Sequence, residues 1–291
     1  MTDDTLAASI WTGLAGLDFS LTHVQAGEWS TRVLLAGPAD GTPLVLAPGT
    51  GGHIEAYARN IAFFAGRGFR VVAYDYPGHG YTTHTTRDLE LPDYVAHLDA
   101  LLDALSIKAA HISGESLGGW VAVKYAVAHP DRVLRLALNT PGGAISRAET
   151  MERIRTLSQA AADDPTDANI RARLEWLMAD NSSVTDELVA MRQQIYARKG
   201  FAESMRHILC LQDLEIRTRN AITDDELKSI GHPVLVVWTS DDPSGPAATG
   251  MHMAEVLPNG RFELISGAGH WPQWEQAETF NELVAGFLSA S

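Results

Sequence analysis

A chain of 291 residues with one cysteine, Cys210, cannot form an internal disulfide, and that fits a reducing compartment. Positive charge is scarce: 22 Lys and Arg stand against 36 Asp and Glu, a formal net charge of −14. A field of that sign repels phosphates, which argues against nucleic acid and anionic membrane as partners. No apolar run approaches the roughly 18 residues needed to span a bilayer. The start, Met1-Thr2-Asp3-Asp4, is acidic where a secretory signal is basic, and no apolar stretch follows it. The sequence alone therefore suggests a cytoplasmic globular protein acting on a small molecule, with homo-oligomerisation left open.

What is present is ordinary in amount but strongly ordered. Apolar residues make up 45% and charged residues 20%, enough for a sizeable core in a chain of this length. Short runs rich in Val, Leu and Ile read as strands: Arg32–Leu35, Pro43–Ala47, Arg70–Tyr74, Ala109–Ser113, Val133–Leu138, His232–Trp238 and Arg261–Ile265. Helical patterns lie between or after them at Glu55–Gly66, Leu91–Leu105, Leu117–Ala128 and Glu275–Leu288. Strands alternating with helices predict an α/β protein, a mostly parallel sheet with helices on both faces. From 144 to 230 the alternation stops and the pattern is helix after helix: Glu149–Ala162, Ala168–Ala179, Thr185–Arg198 and Phe201–Arg219. The expectation is a core domain of residues 1–143 and 231–291, with residues 144–230 inserted as a helical cap. Such a cap belongs over the carboxyl edge of the sheet, where open α/β sheets bind ligands.

Chemistry concentrates in Gly114-Glu115-Ser116-Leu117-Gly118, which follows a strand and opens a helix. That setting is what a nucleophile elbow requires: glycines permit a sharp turn, and the hydroxyl stands at a helix N-terminus that favours negative charge. A serine nucleophile needs a base, and the base needs an orienting acid, here in the order Ser, Asp, His. Of 11 histidines, His270 follows the last strand within Gly267-Ala268-Gly269-His270-Trp271. The others have simpler explanations, such as the Pro77-Gly78-His79-Gly80 turn, the helix end at His129 and the strand interior at His111. Two acids end the Val234–Trp238 strand. Matching Thr239-Ser240-Asp241-Asp242 to a G-x-x-D pattern places the orienting role on Asp242, with Asp241 as the alternative. The oxyanion hole is expected from the backbone N–H groups of Leu117 and Thr50, the latter in Pro48-Gly49-Thr50-Gly51-Gly52. No metal-ligand cluster or dinucleotide fingerprint is visible, and a serine nucleophile requires no cofactor.

With these motifs, together with Asp75-Tyr76-Pro77-Gly78-His79-Gly80 and His129-Pro130-Asp131-Arg132-Val133, the sequence resembles the α/β-hydrolase superfamily along nearly its whole length. Within it, two stretches are similar to the meta-cleavage-product hydrolases, which break a carbon–carbon bond in vinylogous 1,5-diketones formed by aromatic ring fission. Gly269-His270-Trp271-Pro272-Gln273-Trp274-Glu275 resembles the family segment around the catalytic histidine. Val184-Thr185-Asp186-Glu187-Leu188-Val189-Ala190-Met191-Arg192 resembles the segment whose arginine binds the substrate carboxylate. The resemblance implies Arg192 as that ligand and Trp271 as pocket wall, and Gly51 and Glu115 are further substrate-binding candidates. The family places asparagine where this chain has Glu115, and a second asparagine where it has Ala56. Glutamate before the elbow serine is also common in carboxylesterases, so ester or lactone hydrolysis stands as the alternative. A non-catalytic ligand-binding homologue is a third. Ser116 excludes the nucleophilic aspartate of dehalogenases and epoxide hydrolases of this fold.

Overall fold

The computed structural model describes residues 9–144 and 146–290. Eight strands form one sheet: β1 (Phe19–Ala26), β2 (Trp29–Ala36), β3 (Thr42–Ala47), β4 (Phe69–Tyr74), β5 (Ala110–Glu115), β6 (Val133–Asn139), β7 (Val234–Thr239) and β8 (Gly260–Ile265). Their order is β1-β2-β4-β3-β5-β6-β7-β8. β2 runs antiparallel to β1 and β4, and every pair from β4 onward is parallel. The central strands β5 and β7 are buried along their whole length, as expected of strands covered on both faces.

Helices α1 (Ala58–Gly66), α2 (Leu91–Ala104) and α3 (Leu117–Ala128) follow in the first half. Between β6 and β7 lie α4 (Ala148–Asp163), α5 (Asp167–Glu175), α6 (Asp186–Tyr196), α7 (Phe201–Ile208), α8 (Leu214–Asn220) and α9 (Asp224–Ser229). The chain closes with α10 (Ala247–Val256), α11 (Pro272–Glu275) and α12 (Ala277–Leu288). Among the described residues no helix is long and apolar enough to cross a membrane.

The expected strands and helices are present, with two differences. β1 has no counterpart in the expectation, because this edge strand is exposed along most of its length and carries Ser20, Thr22, His23 and Gln25. The segment expected as one helix over Phe201–Arg219 is broken by a 3-10 turn, Leu209–Gln212, and α8 starts anew behind Asp213, whose carboxylate accepts from Glu215 and Ile216 N–H. α9 packs on α3, where Lys124 Nζ lies 2.6 Å from Glu226 Oε1.

Candidate active site

The elbow is a steric necessity before it is a chemical one. Ser116 sits at φ 52, ψ −110 between β5 and α3, a region that costs a non-glycine residue on the order of 1–3 kcal/mol. Its glycine neighbours leave no alternative. A Cβ on Gly114 would lie 2.3 Å from the Gly118 carbonyl, and one on Gly118 would lie 2.0 Å from the Ala47 oxygen. β5, α3 and β3 can meet only with bare backbone at these points. The turn delivers Ser116 to the floor of a cavity roofed by the cap.

His270 arrives from the loop after β8. Thr140 Oγ1 donates to its carbonyl oxygen at 3.0 Å, and its own N–H donates to the Leu177 oxygen of the cap at 2.6 Å. Its Nδ1 lies 2.9 Å from Asp242 Oδ1, and Oδ1 also accepts from the Ser244 N–H at 2.8 Å. Asp241 instead accepts from Ser240 Oγ and stays exposed. The geometry therefore brings Asp242 to the imidazole and leaves Asp241 outside. Burial by itself would lower the His270 pKa, but the Asp242 charge and hydrogen bond, with the Glu115 charge, raise it.

The imidazole's other nitrogen faces a group to which the motifs gave no chemical role. Nε2 of His270 lies 3.3 Å from Glu115 Oε1, and Glu115 is fully buried. Burial pushes its carboxyl up from 4.5 to about 7, against the lowering pull of His270. The Gly49 backbone also pulls it down, and Oε2 sits so close to Gly49 that a Cβ there would approach it to 2.4 Å. No hydrogen bond joins Ser116 Oγ to His270 among the described residues. Such contacts commonly tighten only once substrate is bound.

Leu117, Thr50, Glu115 and Trp271 line the cavity with Ser116 and His270. Gly51 and Arg192 do not form its wall. Gly51, at φ +69, turns its carbonyl to the cap, where Arg192 Nη2 donates at 3.2 Å and Tyr196 Oη at 3.0 Å. The Arg192 guanidinium is buried 5.5 Å from the Trp271 ring centre, behind the wall that this tryptophan forms. The cap wall carries residues that sequence reasoning missed: Met151 and Ile154 of α4, Arg173 of α5, Trp176 just beyond it, Gln212, and Arg217 of α8. Burial depresses both Arg173 and Arg217 to about 10, so both remain cationic near neutrality.

Comparison with known proteins agrees with this fold. Residues 42–277 match the family model described as the alpha/beta hydrolase fold, and the chain belongs to that family. It is 35% identical over 246 residues to a 2-hydroxy-6-oxononadienedioate/2-hydroxy-6-oxononatrienedioate hydrolase of Paraburkholderia phymatum, covering 83% of each chain. It is 30% identical over 280 residues to a 2-hydroxy-6-oxo-6-phenylhexa-2,4-dienoate hydrolase of Comamonas testosteroni, covering 93% and 92%. A solved meta-cleavage product hydrolase of Pseudomonas fluorescens, complexed with acetates, superposes with a TM-score of 0.81 at 26% identity, covering 91% of this chain and 96% of that one.

Proposed function

We propose that the protein is a serine hydrolase that cleaves a carbon–carbon bond in a 2-hydroxy-6-oxo-2,4-dienoate produced by aromatic ring fission. The observation that carries this reading is the cationic, cap-covered cavity built over the Ser116 elbow. It suits a substrate that brings both an electrophilic ketone and negative charge. Relatives at 30–35% identity over most of the chain are named for such dienoates.

In this reading His270, held by Asp242, takes the proton of Ser116 as the oxygen attacks the C6 carbonyl. The N–H groups of Leu117 and Thr50 hold the oxyanion. Beforehand the dienol ketonises, which places a proton on C5. The C5–C6 bonding pair then leaves as a carbanion stabilised by conjugation and is protonated. Water, deprotonated by His270, releases the acyl group as a carboxylic acid and restores Ser116. Arg192, the carboxylate ligand by resemblance, sits behind Trp271 on the Gly51 carbonyl and would act on that charge across the wall rather than by direct contact.

Glu115, in place of an asparagine, favours a second reading in which the same triad hydrolyses a carboxylic ester or lactone. A substrate panel separates the two. The proposal expects loss of the visible absorbance of a ring-fission dienoate, with release of two acidic products. Turnover of aryl esters or lactones with no bleaching of any dienoate would transfer the assignment to ester hydrolysis.

A further inference from the structure

The oxyanion loop is fastened from the side away from the cavity. Gly49 to Gly52 form a tight turn, closed by the Gly52 N–H donating to the Gly49 oxygen at 2.9 Å. Its third residue, Gly51, sits at φ +69, a conformation glycine takes without strain. Gly49, Thr50 and Gly52 line the cavity, whereas the Gly51 carbonyl turns away to the cap helix α6. There it accepts two hydrogen bonds, from Tyr196 Oη at 3.0 Å and from Arg192 Nη2 at 3.2 Å. The approach is close: a Cβ on Gly51 would lie 2.8 Å from Tyr196 Oη. Tyr196 is buried with its ring 4.4 Å from that of Phe201, so its hydroxyl has a fixed place.

These bonds join end to end through the backbone. The Gly51 carbonyl and the Gly52 N–H belong to one peptide unit, and the Gly49 carbonyl and the Thr50 N–H belong to another. A peptide unit is planar, and in its trans form the N–H and C=O point in opposite directions. Fixing the Gly51 oxygen therefore aims the Gly52 N–H at Gly49, and fixing the Gly49 oxygen aims the Thr50 N–H. Hydrogen bonds in such a chain also polarise one another, so a donor at one end strengthens the donor at the other. From this chain we propose that Tyr196 is a positioning residue: its hydroxyl, through Gly51, Gly52 and Gly49, orients and strengthens the Thr50 N–H that holds the oxyanion. Arg192 feeds the same carbonyl, so helix α6 of the cap completes the oxyanion hole from behind. The inference rests on the Ser116 mechanism given above but not on which bond is broken, because an oxyanion forms in C–C and ester cleavage alike.

The test is Tyr196→Phe, which removes the hydroxyl and keeps the ring on Phe201. Two neutral inhibitors are compared: an aryl trifluoromethyl ketone, which adds to Ser116 and puts an oxyanion in the hole, and the matching methyl ketone, which binds without adding. The trifluoromethyl ketone should bind the variant more weakly by roughly 5- to 30-fold, the range for one buried hydrogen bond. The turnover number kcat should fall by a similar factor, while KM and the methyl ketone affinity stay within about twofold. Equal losses for the two ketones would mean a loosened cap rather than a tuned oxyanion hole, and would overturn the inference. An unchanged trifluoromethyl ketone affinity would overturn it as well. So would a parent that binds the two ketones alike, for then the loop holds no oxyanion. If dienoates are not bleached but aryl esters are hydrolysed, the C–C reading fails separately, and kcat on the ester still judges Tyr196.

Discussion

Two groups of buried charge, one on each side of the oxyanion loop, obey opposite rules. On the core side Arg32 of β2 meets Glu55 at 2.7 Å and Asp75 at 3.4 Å, and His53 Nδ1 lies 2.6 Å from the second oxygen of Glu55. The remaining lone pairs are used as well. Asp75 accepts from the N–H groups of Ile54 and Tyr81, each at 2.8 Å. Burial would raise Glu55, but His53 and Arg32 hold it well below its ordinary range. This cluster ties the end of β4 to the turn after the Pro48–Gly52 loop, and each of its charged groups has an oppositely charged partner within the fold. On the cap side Arg173 and Arg192 are equally buried, yet neither is within ion-pair distance of a carboxylate among the described residues. The difference lies in what meets the buried charge: carboxylates of the fold on the core side, only uncharged oxygens on the cap side, where Arg173 donates to Ser158 Oγ and Arg192 to the Gly51 carbonyl.

The largest expected effect lies where that open cluster meets the nucleophile. Ser116→Ala should lower turnover on the order of 10⁴-fold or more while the fold persists, measured as kcat alongside the unfolding transition. Retention of more than a few per cent of the rate would remove Ser116 from the chemistry. Asp242→Asn should cost about 10⁴-fold, since the amide holds the imidazole in the wrong tautomer. Asp241→Asn, exposed and turned away, should be mild, and the reverse ranking would reassign the acid.

A smaller effect concerns Glu115, a carboxyl that meets both the cavity and the imidazole. Its folded pKa, about 7, lies above the ordinary 4.5. The folded state therefore binds more protons than the unfolded one across that window, and stability falls as pH rises from 4.5 to 7. Glu115→Gln should flatten that fall in a series of urea titrations. Removing the negative charge beside Nε2 also lowers the His270 pKa. The acidic limb of kcat/KM should then move to lower pH by about half a unit to one unit. An unmoved limb, with an unchanged stability profile, would mean that Glu115 only fills space.

The sequence and the structure agree where local chemistry is decisive. Apolar runs such as Val234–Thr239 become fully buried strands, and the crowding of Gly114 and Gly118 makes the elbow legible from the motif. The assignment of Asp242 over Asp241 also follows a pattern readable in one dimension. What escaped is what depends on assembly. β1 pairs through its backbone while exposing polar side chains, so its sequence carries no burial signal. Arg171 and Arg173 stand two residues apart on α5. The first is partly exposed and pairs with Asp167 at 2.8 Å, whereas the second points into the site and pairs with nothing acidic. Asp167, four residues earlier on α5, marks Arg171 as a surface ion pair, but only the packing of α5 over the Ser116 cavity shows where Arg173 goes.

The contrast between closed and open charge is tested most directly by unfolding Arg32→Met and Arg173→Met side by side in urea without ligand. Arg32→Met leaves Glu55 and Asp75 buried without their cation and should lose about 3–5 kcal/mol. Arg173→Met removes a charge the fold does not neutralise, so its stability should stay within about 1 kcal/mol of the parent or rise above it. A loss for Arg173→Met as large as that for Arg32→Met would contradict the account, because it would make Arg173 a structural charge like the other.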